Sequence, residues 1–445
     1  MIKNINQTLS NNQINYISYI ISLVPAALIT GPFFPDLIVS FCALVCLYLF
    51  IKNNLNFFFN NWIIKLLFFF WLYLSLKAVF NNEENYSILR SIFYIRYILF
   101  SILICYVYNI NPKFKKIFFQ FTTYSLIVLS LHAYVQHFFN IDLLTLNFND
   151  INIQQNFSII YNKYNVPLDY RISGLFGSES IMGSYIVKIL PIYLGLMYLN
   201  KQSTKYIILI ILFYLLTFIS GERSAVALSL LFIVTYFLSI NLNFKIKLKL
   251  ILALFLISSI IFINPNVKGR IIDNTLNILT ETKEKSVENK NISNSSFNLN
   301  MFSLGHQGHF KSAFNIFLDN PIFGIGIKKF RYECKKPEYY DTYSCSSHPH
   351  NTYLQLLAET GIIGFSFIFL FFLFLSYQIF QIIFFRKLNG RFSEHYKCFL
   401  IGLFINLWPI IPTGSFFNNW ISICYFLSLG FFLGEIQKSQ INLRE

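Results

Sequence analysis

Residues 362–385 read IIGFSFIFLFFLFLSYQIFQIIFF, an unbroken apolar run without one charged side chain. About 20 residues at 1.5 Å each cross the roughly 30 Å of hydrocarbon in a bilayer, so this run is long enough to span a membrane as a helix. The whole chain has the same character. Of its 445 residues, 55% are hydrophobic, 19% aromatic and 12% charged. Soluble domains carry about 25% charged residues, which excludes an ordinary soluble enzyme. A chain so rich in Phe, Ile and Leu cannot stay solvated as a disordered one either. The fold class expected is an all-α integral membrane protein.

The hydropathy pattern predicts about twelve transmembrane helices, near 14–30, 36–51, 61–80, 86–108, 116–139, 179–199, 205–220, 223–240, 247–264, 362–385, 396–412 and 417–434. The first apolar run lacks the basic start and small-residue cleavage site of a secretory leader. The net charge of +15 is spread in short clusters between apolar runs, which argues for membrane orientation and against a nucleic-acid partner. Sixteen Lys and Arg fall in one alternating set of connections, whereas the short connections 31–35, 81–85 and 413–416 hold none. Basic residues collect on the cytoplasmic side, so both termini are expected there, in a multi-pass membrane protein. Two long segments, 140–178 and 265–350, then face outward, and long loops of this kind usually carry function. The expected organisation is spans one to nine in 1–264, a large periplasmic loop in 265–361 with a short surface helix, and spans ten to twelve in 362–445.

The most informative stretch is CSSHPHNTYLQLLAETGIIG, residues 345–364. Pro349 biases His348 towards an extended backbone. Thr352 followed by Gln355 matches a capping box, predicting a short helix that starts after His350. Gly361 suits a left-handed helix end just before the charge-free span. His350 would then sit where unpaired amides and the positive end of the dipole attract anions and disfavour an imidazolium. A neutral imidazole beside an anion site is a candidate general base.

Arg223, in SGERSAVALSL (220–230), and Arg171, in RISGLFGSES (171–180), are candidate cations for the same face. Arginine makes planar, bidentate contacts with phosphate oxygens. For Arg171 the plainer alternative is snorkelling to lipid headgroups. Arg96 and Lys188 lie deeper, where a charge must face an internal cavity or a partner. For Lys188 a carbonyl or Glu179 is the expected partner. His132, His137 and His395 read as ordinary polar side chains. A metal site built from His306, His309, His348 and His350 is the sharper rival to a histidine base, but glycines flank HQGH and no carboxylate accompanies it, so no metal or cofactor is expected. Cys42, Cys46, Cys105, Cys398 and Cys424 lie in apolar runs and read as packing residues. Cys334 and Cys345 stand apart in the outer loop, where an oxidising compartment permits a disulfide; two free thiols are the alternative.

HNTYLQLLAETGIIG (350–364) resembles the signature of the O-antigen ligase and polymerase superfamily. NPIFGIGIKKF (320–330), RISGLFGSES and GERSA resemble that family's loop turn and its arginine-bearing segments, and the layout with the largest outer loop between spans nine and ten is similar. The resemblance implies a GT-C-like, metal-independent, inverting glycosyltransferase. It implies a donor glycan on undecaprenyl diphosphate, a saccharide acceptor (lipid A core or growing chain) and membrane lipids as partners. In that scheme His350 is the general base and Arg223 and Arg171 hold the diphosphate, with His348, Asn351, His309, Lys311 and Arg96 as further substrate contacts. Relatives often carry another arginine early in the large loop, where this chain offers His306, His309 and Lys311. The alternative function is a transporter or flippase for a lipid-linked or anionic saccharide. It would favour matching halves with broken helices, and no internal repeat is visible.

Overall fold

The computed structural model describes residues 9–52, 55, 61–80, 85–139, 171–177, 179–201, 207–240, 243–261, 265–273, 275–276, 302–341, 344–385 and 392–442. Most of the outer loop 140–178, and residues 277–301 of the larger one, lie outside them. The described residues form helices and no strand. In chain order these are α1 (Asn11–Ser22), α2 (Val24–Ile29), α3 (Phe33–Ile51), α4 (Trp62–Phe80), α5 (Asn85–Phe93), α6 (Ile95–Ile110), α7 (Phe114–Phe139), α8 (Met182–Leu199), α9 (Ile207–Ile219), α10 (Arg223–Ser239) and α11 (Phe244–Ile261). They continue with α12 (Pro265–Lys268), α13 (Leu304–Asp319), α14 (Phe330–Glu333), α15 (Thr352–Phe384), α16 (Glu394–Asn406) and α17 (Asn419–Asn442).

Among the described residues, eight helical stretches are long and apolar enough to cross a membrane: Asn11–Ile29, Phe33–Ile51, Trp62–Phe80, Ser87–Ile110, Phe114–Phe139, Met182–Leu199, Thr352–Phe384 and Asn419–Lys438. The remaining expected spans are helical but differ in length or composition. Ile208–Ile219 and Arg223–Ser239 are shorter apolar helices. α11 carries Lys245, Lys247 and Lys249 in its first turns. α16 has only 13 residues, about 20 Å at 1.5 Å each, and falls short of the expected span 396–412. Pro409, Pro412 and Gly414 explain the early end, because proline cannot continue the helical ladder.

The chain packs as two compact units, residues Met1–Thr122, Pro191–Lys201 and Leu304–Glu445 forming the first and Thr123–Leu190 and Gln202–Ser303 the second. The core of the first unit is α6 against α17, with every side chain from Tyr97 to Tyr108 buried. Gly430 and Gly434 let α17 press against Ile104 and the ring of Tyr108, where any Cβ would collide. Such small-residue contacts let helix backbones approach closely where lipid removes the hydrophobic drive between helices. Phe33, Phe34, Leu37, Phe41 and Leu44 are exposed along α3, an apolar face suited to lipid. The second unit has its own cluster, in which Tyr214, Phe218 and Val226 pack with Leu254 and Ile271. All five cysteines of the apolar runs are buried as free thiols.

Candidate active site

The turn 320–330 is built against the start of α15 by two glycines. Gly361 has φ 65° and ψ −173°, a region essentially reserved for glycine, and the chain resumes as helix directly after it. The expected left-handed helix end is therefore a sharp kink inside one continuous element. Gly324, with φ 66°, faces it so closely that a Cβ on either residue would enter the other's backbone neighbourhood. The close approach lets Ile325 N donate to the Ala358 carbonyl at 2.9 Å, Gly326 N to Glu359 O at 2.9 Å and Ile362 N to Pro321 O at 2.8 Å. The fully buried Glu359 carboxylate accepts from Phe330 N and from Gln355 Nε2, so the turn and helix share one polar centre. Ala313, Ile316, Phe330, Cys334 and Ala358 form the apolar cluster beneath it.

His350 immediately precedes the helix and has φ 55°, unusual for a residue with a side chain. Its carbonyl accepts from Thr413 N at 2.9 Å. The cap is one residue earlier than the sequence suggests. Asn351 Oδ1 accepts from Tyr353 N and Leu354 N at 3.0 and 3.1 Å, and Asn351 Nδ2 donates to Pro409 O at 2.7 Å. Thr352 is the first helical residue, and Gln355 turns to Ser415, Phe416 and Glu359 instead of closing a capping box. The asparagine thus uses two of the amides expected to be open beside His350. The non-helical segment 407–418 that replaces the end of the eleventh span is what holds His350 and Asn351.

Four imidazoles gather there. The ring of His350 lies 4.2 Å from that of His348, 5.0 Å from His309 and 5.4 Å from His306, centroid to centroid. Ser346 Oγ sits 3.2 Å from His350 Nε2. A disulfide joins Cys334 to Cys345 just ahead of this segment, their Cα atoms 5.2 Å apart. Burial, then the neighbouring imidazoles, pushes His350 down to about 3. Burial likewise takes His348 down to about 4, opposed by a hydrogen bond from the ring to the Thr413 backbone and reinforced by His309, Arg331 and His306. Both rings are neutral at pH 7. Among the described residues no group of three or more His, Cys, Asp or Glu is arranged to hold a metal ion.

The second unit brings together the two arginine segments. Ile172 N donates to Ser220 O at 3.2 Å, and Arg171 and Arg223 lie close enough to act on each other electrostatically. Between them Glu222, which the sequence reading passes over, accepts from Gly183 N at 2.6 Å and from Ser184 Oγ at 2.6 Å, anchoring the start of α8. Burial pushes its carboxyl up, and the Ser184 and Gly183 bonds and the charge of Arg171 pull it back. Arg223 opens α10 and Arg171 is exposed.

Of the remaining candidates, Lys311 is exposed and pairs with Asp341 at 3.6 Å. Arg96 pairs with Asp36 at 2.7 Å and donates to Tyr97 Oη at 2.9 Å, while facing a cavity. Lys188 is buried. His395 pairs with Glu435 at 2.9 Å. Three cations near the turn, Arg90, Lys328 and Arg331, received no role from the sequence. Only the paired lysines of GIGIKKF hinted at them.

The family model described as O-antigen ligase matches residues 207–369. The match covers a little over a third of the chain, and over that stretch the chain is similar to this family. The matched stretch takes in Arg223, the 320–330 turn, all four clustered histidines and the kink at Gly361. No curated protein matches the chain. The match supports an O-antigen ligase- or polymerase-type activity in general terms, in a chain whose described residues include eight helices long and apolar enough to cross a membrane.

Proposed function

We propose that this O-antigen ligase/polymerase relative transfers a glycan from undecaprenyl diphosphate to an acceptor sugar hydroxyl at the periplasmic face of the inner membrane. A ring nitrogen of His350 takes the acceptor's hydroxyl proton as its oxygen attacks the anomeric carbon. The anomeric C–O bond breaks on the opposite side, inverting that centre, and the diphosphate departs with the bonding pair. Arg223 and Arg171 stabilise the charge developing on it.

The observation that carries this reading is the neutral imidazole of His350, held on a strained backbone inside the matched domain. Strained residues collect at active sites, where the surrounding structure over-determines them. A base held at about 3 is weak at neutral pH. An anionic donor nearby would raise it, so His350 becomes an effective base only with substrate bound. Neither a metal nor a cofactor enters the scheme.

The test is in cells. His350→Ala and Arg223→Ala proteins should insert at normal levels, abolish surface polysaccharide and accumulate lipid-linked glycan. Normal polysaccharide in both would refute the roles given to these residues. The lipopolysaccharide of the deletion strain separates the two acceptors: uncapped core marks a ligase, a single repeat marks a polymerase.

A further inference from the structure

The kink at Gly361 turns α15 back on itself. The ring of Tyr353, ahead of the kink, packs 5.9, 6.2 and 6.0 Å from those of Phe365, Phe369 and Phe372 beyond it. In a straight helix residues 353 and 372 would stand about 28 Å apart. Residues 352–360 therefore fold alongside 362–372, and Gly361 is the apex of a hairpin. An apolar corner is bonded to that apex. Leu318, near the end of α13, and Ile322 and Phe323, in the 320–330 turn, are 57%, 54% and 51% exposed, and Pro321 is exposed between them. Asp319 is the only charged residue in 318–323, and its carboxylate accepts from Tyr339 Oη at 2.7 Å. Large exposed apolar side chains grouped in this way mark a surface that meets protein or membrane.

The place of the corner along α15 decides between the two. Beyond the kink, Ile362, Leu370, Leu373, Tyr377, Phe380 and Phe384 are exposed at helical spacing, a bare apolar face. That face is roughly 33 Å long, close to the roughly 30 Å of hydrocarbon in a bilayer. Arg386 and Lys387 follow its far end in the sequence, so Ile362 marks the opposite boundary. The corner is fixed at that boundary. Ile362 N donates to Pro321 O at 2.8 Å, and Tyr73 Oη of α4 donates to Thr360 O at 2.7 Å and reaches Phe323 O at 3.5 Å. Tyr73 has its ring beside Phe367 and its hydroxyl on backbone, the amphipathic placement of an aromatic side chain at headgroup level. The exposed corner thus continues the lipid-facing surface of α15.

We propose that the 318–323 corner is a membrane-docking surface, with Leu318, Ile322 and Phe323 inserted among the upper acyl chains of the leaflet on the His350 side. The 320–330 turn is then held from two directions, by the backbone around Gly361 and by lipid. It sets the depth of the hairpin whose inner arm begins at His350. The surface lies wholly in the first unit. It rests on α15 crossing a bilayer and not on the role of His350, so its failure and that of the transfer scheme are separate results.

The test is fluorescence of the full-length protein in phosphatidylcholine liposomes, with an environment-sensitive nitrobenzoxadiazole probe attached at Ile322→Cys or Phe323→Cys. The five free cysteines are buried and the other two are bridged, so wild type measures any background labelling. Lys336→Cys, in the same loop with its side chain 52% exposed, is the aqueous reference. Both corner probes should emit to the blue of the Lys336 probe. Both should lose more intensity to lipids carrying a nitroxide near the headgroup than to aqueous iodide. Emission and quenching at either position equal to those of the Lys336 probe would overturn the proposal. So would blue-shifted emission that lipid nitroxides leave untouched, the mark of a corner covered by protein, whether a second copy or this chain. Ile322 and Phe323 are exposed, so the labelled proteins should melt with wild type; Leu318→Cys repeats the measurement if one does not.

Discussion

Replacing Gly361 by alanine probes how the His350 helix is held. At φ 65° and ψ −173° a residue with a Cβ is strained by about 1–3 kcal/mol. The new Cβ would also collide with the Ile322 carbonyl and the Phe323 amide nitrogen, which belong to backbone and cannot swing away. Relief requires the 320–330 turn to separate from α15, breaking bonds among Ile325–Ala358, Gly326–Glu359 and Ile362–Pro321. Losing two of the three adds about 1–3 kcal/mol, for a total of about 2–6 kcal/mol. At about 2 °C or more per kcal/mol, the full-length protein in detergent should melt at least roughly 4 °C lower, read by intrinsic fluorescence. Gly305→Ala is the internal control: it lies in α13 with open space around it and no positive φ, so alanine should be neutral or stabilising. A Gly361→Ala melting curve that superimposes on both wild type and Gly305→Ala would refute the interlocked-glycine account.

The remaining predictions concern the two units separately. Glu222→Ala removes the acceptor for Gly183 N and Ser184 Oγ and should destabilise the second unit by about 2–3 kcal/mol, seen as faster limited proteolysis between α8 and α10; wild-type resistance would count against it. His350 and His348 are held at about 3 and about 4 against an ordinary 6.5, so in that interval the unfolded chain binds more protons than the folded one. Stability is therefore lost as pH falls below about 6.5, and His350→Gln should show a shallower drop in melting temperature between about pH 6.5 and 4.5 than wild type; equal slopes would contradict it. Reducing the Cys334–Cys345 bridge should cost about 2–3 kcal/mol for so short a closed loop, and the double serine variant should melt identically with and without reductant.

Much of the architecture was legible because its signals are local. Long apolar runs, the position of the His350 helix and the need for glycine at 361 each depend on residues within a few turns of one another. The exact cap was missed by one residue, since Asn351 and Thr352 are both competent caps and Pro409 and Thr413, some sixty residues away, decide between them. The shortened eleventh helix follows from the same contact: its apolar composition suits a span, but the prolines after it serve the histidine segment. The gathering of His306, His309 and His348 around His350 is the grouping the sequence offered as a rival metal set, and only the tertiary packing fixes the distances between the rings. Likewise nothing in the local pattern joins Arg90 and Arg96 to Lys328, more than two hundred residues downstream, into one cavity wall. Glu222 was overshadowed by the arginine beside it.

The central claim is that the neutral imidazole of His350 takes the acceptor's proton during glycan transfer. Single-turnover transfer from an undecaprenyl-diphosphate-linked glycan to its acceptor, with the full-length protein reconstituted in proteoliposomes, measures this step directly. The account predicts that His350→Ala slows it roughly 100-fold or more while donor binding is retained, the usual contribution of a general base. Transfer by His350→Ala at the wild-type rate would contradict it.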